Sequence, residues 1–362
     1  MKKWVLSFFL AVFFLTGCHK SEDLSSLPDV SNVPTLKIYA YKSDADLPDA
    51  DLVVEKINDY IEPLIHANID ITFVPYGSYV SQINRILGSN EQLDLFITVD
   101  GSEIRQLYEN GDLASLNTLL EDYAPDIFDV VGKEYLQGGF DPKTQEYYGI
   151  TTCHDYSSRT GLEYRKDIAR QYGIDMSSVH ELSDLTEVFA KLKQQNPSLY
   201  PIASLSYYKN WDSLGDHLGV LLYDRMDTTV VNLYETPEYR EYVSLIREWY
   251  LNGYLYDTVT DPGSNAYYLR SDHVFSCFAN GKPGFVAQEE RYLNRSIGFA
   301  ALENDYISTD SISSWMWAIP KNSNYQKEAM QFLNLLYTDE TVINLWIYGI
   351  EGIHYEMIDR EK

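Results

Sequence analysis

The side chains that could do chemistry are scattered along this chain rather than grouped into a catalytic motif. The sequence contains no G-x-S-x-G elbow, no P-loop, no H-E-x-x-H and no dinucleotide glycine fingerprint. Its 7 histidines include no pair whose spacing would present two metal ligands on one helix. Adjacent carboxylates such as Glu289 and Glu290 could serve a glycosidase, but such pairs are common in any chain. We therefore predict no catalytic residue, no metal site and no cofactor.

Aromatic and hydrogen-bonding side chains instead follow several predicted strands at the point where each strand ends. The candidates in these positions are Tyr41, Tyr76, Tyr79, Asp100, His154 and Tyr156. In an open parallel sheet, ligands lie beyond the carboxyl ends of the strands. A pyranose has an apolar C–H face and a polar rim of hydroxyls, so a sugar needs both kinds of side chain. Each residue alone is equally consistent with an ordinary loop or helix-capping role, but together they favour a sugar-binding cleft.

Three tryptophans and one glutamate complete the set of substrate-binding candidates: Trp211, Trp315, Trp317 and Glu289. Trp315 and Trp317 lie one residue apart in a strand-like run, so their side chains are expected on opposite sides. At most one of them then faces the cleft while the other packs. A role in core or lobe packing is at least as consistent with Trp211.

The elements that must position these residues alternate between strands and helices. Leu36–Tyr41, Asp70–Pro75 and Leu93–Val99 read as strands, each followed by a helical pattern of apolar residues at spacings of three and four. Further along, Thr236 and Pro237 mark the start of a helix, and the run from Trp315 to Pro320 precedes another at Ala329–Leu336. Strands separated by helices predict an α/β fold with helices on both faces of a parallel sheet.

Length and composition limit the class of protein. The chain has 362 residues, more than one hydrophobic core normally spans, which predicts two lobes. Its net charge of -26 repels phosphate backbones and anionic lipid surfaces, so we predict no nucleic acid partner. The chain has 31 tyrosines, and this residue type is suited equally to partly solvated clefts and to interfaces because it combines an apolar ring with a hydroxyl.

The N-terminal residues resemble a bacterial lipoprotein signal. Lys2 and Lys3 precede an apolar stretch from Trp4 to Leu15 that is too short to span a bilayer comfortably, and Leu15-Thr16-Gly17-Cys18 follows. The resemblance implies a signal peptide at 1–17 and acylation of Cys18, which would anchor the protein to the membrane. Residues 18–34 then read as a flexible tether. A signal anchor with an incidental cysteine is the alternative.

The body of the chain resembles an extracellular solute-binding lipoprotein of an ABC importer, of the sugar-binding, family 1 type. The resemblance rests on the lipobox (Leu15–Cys18), on the opening through Asp94-Leu95-Phe96-Ile97-Thr98, on Tyr147-Tyr148-Gly149-Ile150 and on Ala169–Leu182. Trp317–Ser323, continuing into Glu328–Asp339, carries it most specifically. Tyr348–Tyr355 is similar to one subgroup of long lipoprotein binders, whose members continue well past this point. Against that subgroup the chain looks C-terminally truncated.

The resemblance implies a two-lobe periplasmic-binding-protein-like fold with hinge crossings and an interlobe cleft. Lobe 1 is expected at 35–149 and 318–352, and lobe 2, incomplete, at 150–317 and 353–362. The implied function is capture of a mono- or oligosaccharide for delivery to the transmembrane subunits of an ABC permease. The protein would be a monomer, lipid-anchored at the extracellular face of the bacterial cell membrane. An exported enzyme or a cell-surface interaction protein with the same fold is the alternative.

Overall fold

The structure is a computed structural model that describes residues 33–42, 47–157, 159–203, 211–214, 218–222 and 228–358. The predicted signal peptide, Cys18 and all but the last two residues of the predicted tether lie outside these ranges. No helix in the described part of the chain is long and apolar enough to cross a membrane.

Within the described residues the strands are mostly short and belong to four sheets. In chain order they are β1 (Thr35–Lys42), β2 (Asn68–Pro75), β3 (Leu95–Ile97), β4 (Phe140–Asp141), β5 (Glu146–Tyr147), β6 (Ile150–Thr151), β7 (Arg159–Arg165), β8 (Tyr200–Ile202), β9 (Trp211–Leu214), β10 (Gly219–Leu222), β11 (Val231–Asn232), β12 (Val274–Gly281), β13 (Ile297–Ala301) and β14 (Met316–Ala318).

Helices connect most of these strands. They are α1 (Ala50–Ile65), α2 (Tyr76–Leu87), α3 (Gly101–Asn110), α4 (Asn117–Tyr123), α5 (Ile127–Val131), α6 (Lys133–Leu136), α7 (Lys166–Gln171), α8 (Leu185–Gln195), α9 (Pro237–Leu251), α10 (Asn265–Arg270), α11 (Phe285–Leu293), α12 (Thr309–Ser313), α13 (Gln326–Thr338) and α14 (Glu340–Tyr348). Short 3₁₀ turns lie at Gln137–Gly139, Leu182–Asp184 and Leu233–Glu235.

The first lobe is built on a five-stranded sheet in the order β2-β1-β3-β14-β6. β1 is parallel to β2 and β3, whereas β14 is antiparallel to both β3 and β6. One face packs against α1, α4, α5 and α13, and the other packs against α2 and α3. Gly111 closes α3 with φ 82°, a left-handed conformation that glycine adopts without strain.

The second lobe is built on a four-stranded sheet in the order β13-β7-β12-β8. α7, α8 and α9 cover one face, and α10 and α11 cover the other. The Thr236 hydroxyl caps α9 as predicted, accepting from the Tyr239 amide at 3.2 Å. Within α9 only Trp249 is buried, and Tyr250 is 70% exposed. A small antiparallel sheet, β11-β10-β9, belongs to the same half of the chain.

The division of the chain into lobes stays a proposal, which the sheet pairing supports with two revisions. Residues at both ends of the expected lobe 2 belong instead to the first sheet, since Thr151 of β6 lies opposite Met316 of β14. Residues 353–358, expected in lobe 2, lie against lobe 1: His354 Nε2 is 3.4 Å from the carboxylate of Asp49, at the start of α1. We therefore place the crossings at residues 152–157 and around α12.

Candidate functional site

Three aromatic side chains meet at one edge of the first sheet. The Tyr41 and Trp315 rings lie 4.9 Å apart between centroids, at an interplanar angle of 38°. Tyr76 lies 5.8 Å from Tyr41 and 6.4 Å from Trp315, and its side chain is 55% exposed. We call Tyr41, Tyr76 and Trp315 the aromatic platform. It offers a half-exposed apolar surface with two hydroxyls and one indole N–H at its rim.

The chain topology explains why these residues meet. Tyr41 lies near the carboxyl end of β1, and Tyr76 begins α2 immediately after the carboxyl end of the parallel strand β2. Trp315 precedes β14, which runs antiparallel to β3, so the amino end of β14 lies at that same edge. Trp315 thus joins the candidates of the first lobe, although the expected boundaries placed it in lobe 2.

Tyr79 supports the platform from behind. It is 1% exposed and lies 6.1 Å from the Tyr41 ring. Its hydroxyl lies 2.7 Å from the carbonyl of Ile97 and 2.9 Å from that of Tyr39, so it ties α2 to β1 and β3. Burial raises the pKa of the Tyr79 hydroxyl well above its usual value, so the group stays a neutral donor. These contacts make Tyr79 a packing residue rather than an open ligand surface.

The other two tryptophan candidates also pack internally. Trp317 is 4% exposed and lies 5.9 Å from Trp346 of α14 in the core of the first lobe. The predicted alternation therefore holds, with Trp315 at the edge and Trp317 turned toward the core. Trp211 is 5% exposed and packs 6.4 Å from both Tyr239 and Tyr242, beside the small sheet.

Asp100 follows β3 and caps α3. Its Oδ1 accepts from the Ser102 amide at 2.7 Å and from the Glu103 amide at 3.3 Å. The half-buried Glu103 lies beside it, and burial, together with the negative charge of Asp100, raises the pKa of the Glu103 carboxyl. This corner of the lobe supplies hydrogen-bond acceptors to the edge that carries the platform.

His154 and Tyr156 lie in the first crossing. His154 Nδ1 is 2.9 Å from the carbonyl of Thr152, which also accepts from the Tyr156 hydroxyl at 3.0 Å. The Tyr156 ring lies 4.7 Å from His154 and stacks on Tyr135 at 4.7 Å. These contacts hold both side chains in place at the hinge between the lobes.

A cavity of about 1110 Å³ joins the platform to the crossing. Tyr41, Trp315, Thr152 and His154 line one side of it. Its remaining walls are mostly apolar and come from α1, α13, α14 and the adjoining sheet, with Asp49 and His354 at the rim. Tyr76, Asp100 and Tyr156 are not among its lining residues, so the cavity extends away from the candidates rather than enclosing all of them.

Glu289 lies apart from the platform, on α11 of the second lobe. Burial raises the pKa of its carboxyl, and its charge contributes to a raised pKa of about 7 at the nearby Glu163 of β7, whose own burial is the larger cause. Glu163 is 2% exposed, and its Oε1 has no hydrogen-bond partner among the described residues. The half-buried Glu289 and the buried Glu163 thus interact within the second lobe, which favours a role for Glu289 in this lobe.

Sequence reasoning missed the polar edge that the second lobe turns toward the crossing. β7 begins there at Arg159, and β12, antiparallel to it, ends there. Thr160 Oγ1 lies 3.2 Å from Asn280 Oδ1 and 3.1 Å from the Tyr306 hydroxyl. Arg159 binds Asp305 through two hydrogen bonds of 2.6 Å. These residues come from three separate strand ends, and no local pattern in the sequence joins them.

One ion pair connects this edge to the crossing. Lys282 Nζ, just beyond β12, lies 2.9 Å from the carboxylate of Asp155, next to His154. The Lys282 ammonium holds the pKa of the Asp155 carboxyl below its usual value. An aromatic edge on one lobe therefore lies across a crossing from a hydrogen-bonding edge on the other, and this arrangement suits a polar ligand with apolar faces.

Known proteins match this chain over most of its length. The family described as bacterial extracellular solute-binding protein matches residues 65–343. A carbohydrate ABC transporter substrate-binding protein of Streptococcus pneumoniae serotype 4 (strain ATCC BAA-334 / TIGR4) is 25% identical over 347 residues, covering 92% of this chain and 68% of the relative.

Solved structures show the same fold. The N-glycan transport solute binding protein NgtS of Streptococcus pneumoniae superposes with a TM-score of 0.78 at 23% identity, over 90% of this chain and 72% of NgtS. NgtS in complex with Man5GlcNAc gives 0.70 at 23% identity, over 88% of this chain and 70% of that one. The alginate-binding protein AlgQ2 gives 0.62 at 14% identity, over 90% and 71%. With the two-lobe α/β fold and the extent of the family match, this chain belongs to the bacterial extracellular solute-binding proteins.

Proposed function

We propose that the protein captures a carbohydrate between its lobes and delivers it to the transmembrane subunits of an ABC permease. The observation that carries the proposal is the aromatic platform, where Trp315 and Tyr41 present ring faces to the C–H face of a sugar. Asp100 and the polar edge at Asn280 and Tyr306 supply hydrogen bonds for hydroxyl groups. The relatives that are named for carbohydrate transport, or that were solved with Man1GlcNAc or Man5GlcNAc, support this substrate class.

A binding protein of this kind closes on its ligand by a hinge motion, and the crossings are the place for it. Binding free energy then adds to the stability of the closed form by RT ln(1 + [L]/Kd). A thermal-shift screen of neutral mono- and oligosaccharides that includes Man5GlcNAc should raise the unfolding temperature with at least one of them. Calorimetric titration would then give the affinity. Failure of every sugar to bind would contradict the proposal.

An exported enzyme or a cell-surface interaction protein with the same fold is the alternative. Chromatography of the bound sugar after long incubation separates the two possibilities, since a transport protein returns the sugar unchanged. Cleavage at a rate that depends on the protein would favour the enzyme.

We further propose that the mature protein works as a monomer, anchored through an acylated Cys18 at the extracellular face of the membrane. This position follows from the lipobox, because several acyl chains hold a protein stably at a bilayer. Cys18→Ala should shift the protein from the membrane fraction to the soluble fraction and abolish labelling by a radioactive fatty acid. An unlabelled wild-type protein in the membrane fraction would contradict acylation.

A further inference from the structure

Three tyrosines converge on one aspartate in the second lobe. The Tyr256 hydroxyl donates to Asp261 Oδ2 at 2.5 Å, and the Tyr267 hydroxyl lies 3.2 Å from each carboxylate oxygen of Asp261. The Tyr268 hydroxyl donates to the backbone carbonyl of Asp261 at 3.0 Å and accepts from the Gly263 amide at 2.7 Å. We call Tyr256, Asp261, Tyr267 and Tyr268 the tyrosine–aspartate cluster.

The members of the cluster differ in exposure. Tyr268 is 3% exposed and fixes the loop, whereas Tyr267 is 51% exposed. The Tyr267 ring lies close against Gly263, where a Cβ would come within 2.3 Å of the ring. Only glycine leaves room for this contact, so one part of the ring is held against the loop while the rest stays open. The result is a fixed aromatic surface with a carboxylate at its hydroxyl edge.

The carboxylate of Asp261 retains acceptor capacity. An ionised carboxylate has about four lone-pair sites, and the two tyrosine hydroxyls occupy only part of them. The hydrogen bond to Asp261 raises the pKa of Tyr256 to about 12, so this hydroxyl remains a donor at neutral pH. The two hydroxyls therefore orient the carboxylate and leave acceptor sites on it for a ligand.

The cluster lies at the end of α10 that points toward the crossing. The first residue of α10, Asn265, donates to the carbonyl of Phe278 at 2.8 Å, and β12 continues from there to its end at Gly281. The carbonyl of Leu269, near the other end of α10, accepts from the Arg165 guanidinium at 3.0 Å. Arg165 is the last residue of β7, at the end of that strand remote from the crossing. The loop that carries Asp261 thus lies on the cleft side of this helix.

We propose that the tyrosine–aspartate cluster is a second sugar-ring subsite, in which the C–H face of a neutral hexose lies on Tyr267 and its hydroxyls donate to Asp261. The inference rests on the proposed function and deepens it. An oligosaccharide long enough to reach both lobes would then contact the aromatic platform with one ring and this cluster with another.

The test compares affinities by calorimetric titration with the tightest-binding member of a neutral oligosaccharide panel that includes Man5GlcNAc. Tyr267→Ala should weaken binding roughly threefold to tenfold, and Tyr267→Trp should restore it because the stacking surface returns. Asp261→Asn should also weaken binding. Tyr250→Ala, at a 70% exposed position on α9, is the control and should leave affinity unchanged.

The outcomes separate the subsite from the proposed function. Wild-type affinity in Tyr267→Ala, together with lost affinity in Trp315→Ala, would overturn the subsite and leave the proposed function standing. A Tyr267→Trp protein that binds as weakly as Tyr267→Ala would overturn the stacking contact. A wild-type protein that binds no member of the panel would overturn both. Unfolding temperatures of the variants, expected near that of the wild type, show that each one folds.

Discussion

The Tyr41 and Trp315 rings lie 4.9 Å apart between centroids, although Tyr41 lies near the end of β1 and Trp315 immediately precedes β14. The contact forms because β14 returns to the first sheet antiparallel to β3, which brings its amino end to the edge where β1 terminates. The aromatic platform therefore exists only when the return strand is in place, and it reports on correct assembly of the first lobe.

Removing the indole of Trp315 should weaken carbohydrate binding with little effect on folding. Trp315 is partly exposed. Trp315→Ala removes apolar area that would contact the ligand, which should weaken the binding free energy by about 1–3 kcal/mol. Titration calorimetry measures the change, and Trp315→Phe should recover part of it. Tyr250→Ala, another aromatic truncation but away from the platform, should bind as the wild type does. Unchanged affinity in Trp315→Ala would place the ligand elsewhere.

Removing the indole of Trp317 should instead lower the free energy of unfolding. Trp317 is 4% exposed and packs against Trp346, so Trp317→Ala leaves a cavity that costs about 3–5 kcal/mol in the free energy of unfolding. Urea denaturation checks this loss. If Trp317→Ala unfolds at the wild-type urea concentration, Trp317 is not part of the core as described.

The buried Glu163 should make stability depend on pH. Its pKa is raised to about 7 by burial and, to a smaller extent, by Glu289, whereas in the unfolded chain it is an ordinary glutamate. Because the pKa of Glu163 is higher in the folded protein than in the unfolded chain, the protonated carboxyl favours folding. This contribution to the free energy of unfolding is complete below the pKa of the unfolded chain and is lost as pH rises toward 7. The loss is on the order of 3 kcal/mol. Denaturation at pH 5 and pH 8 should show it.

The matched variant for this test is Glu163→Gln, which keeps the shape of the side chain and cannot ionise. Its unfolding free energy should change less between pH 5 and pH 8 than that of the wild type. Equal pH dependence in both proteins would mean that other groups, and not Glu163, control it.

Asp212 should stabilise the second crossing. It is 7% exposed, and its Oδ2 accepts from the amide of Thr309 at 2.9 Å and from the Thr309 hydroxyl at 2.7 Å, at the start of α12. Asp212→Ala leaves both donors without this acceptor, at a cost of about 1–3 kcal/mol. Hydrogen exchange of the α12 amides should accelerate, and less so in Asp212→Asn, which retains an acceptor. Unchanged protection in Asp212→Ala would exclude this anchoring role.

The sequence by itself determined the class of the protein and the location of many elements. Apolar spacing and capping residues such as Thr236 and Gly111 act within a few positions, so the helices and strands can be read locally. The alternation of side chains along a strand also predicted that Trp315 and Trp317 would point apart. The family follows from motifs spread along the chain, and the comparisons confirm it.

Only the tertiary structure decided which aromatic residues stay open to a ligand. Tyr76 and Tyr79 lie one helical turn apart, yet one is 55% exposed and the other 1% exposed, because α2 packs Tyr79 onto β1 and β3. The tyrosine–aspartate cluster and the edge at Asn280 likewise join residues from separate loops and strand ends. Burial and such long-range contacts depend on how elements pack together, and packing between distant segments leaves no local signal in the sequence.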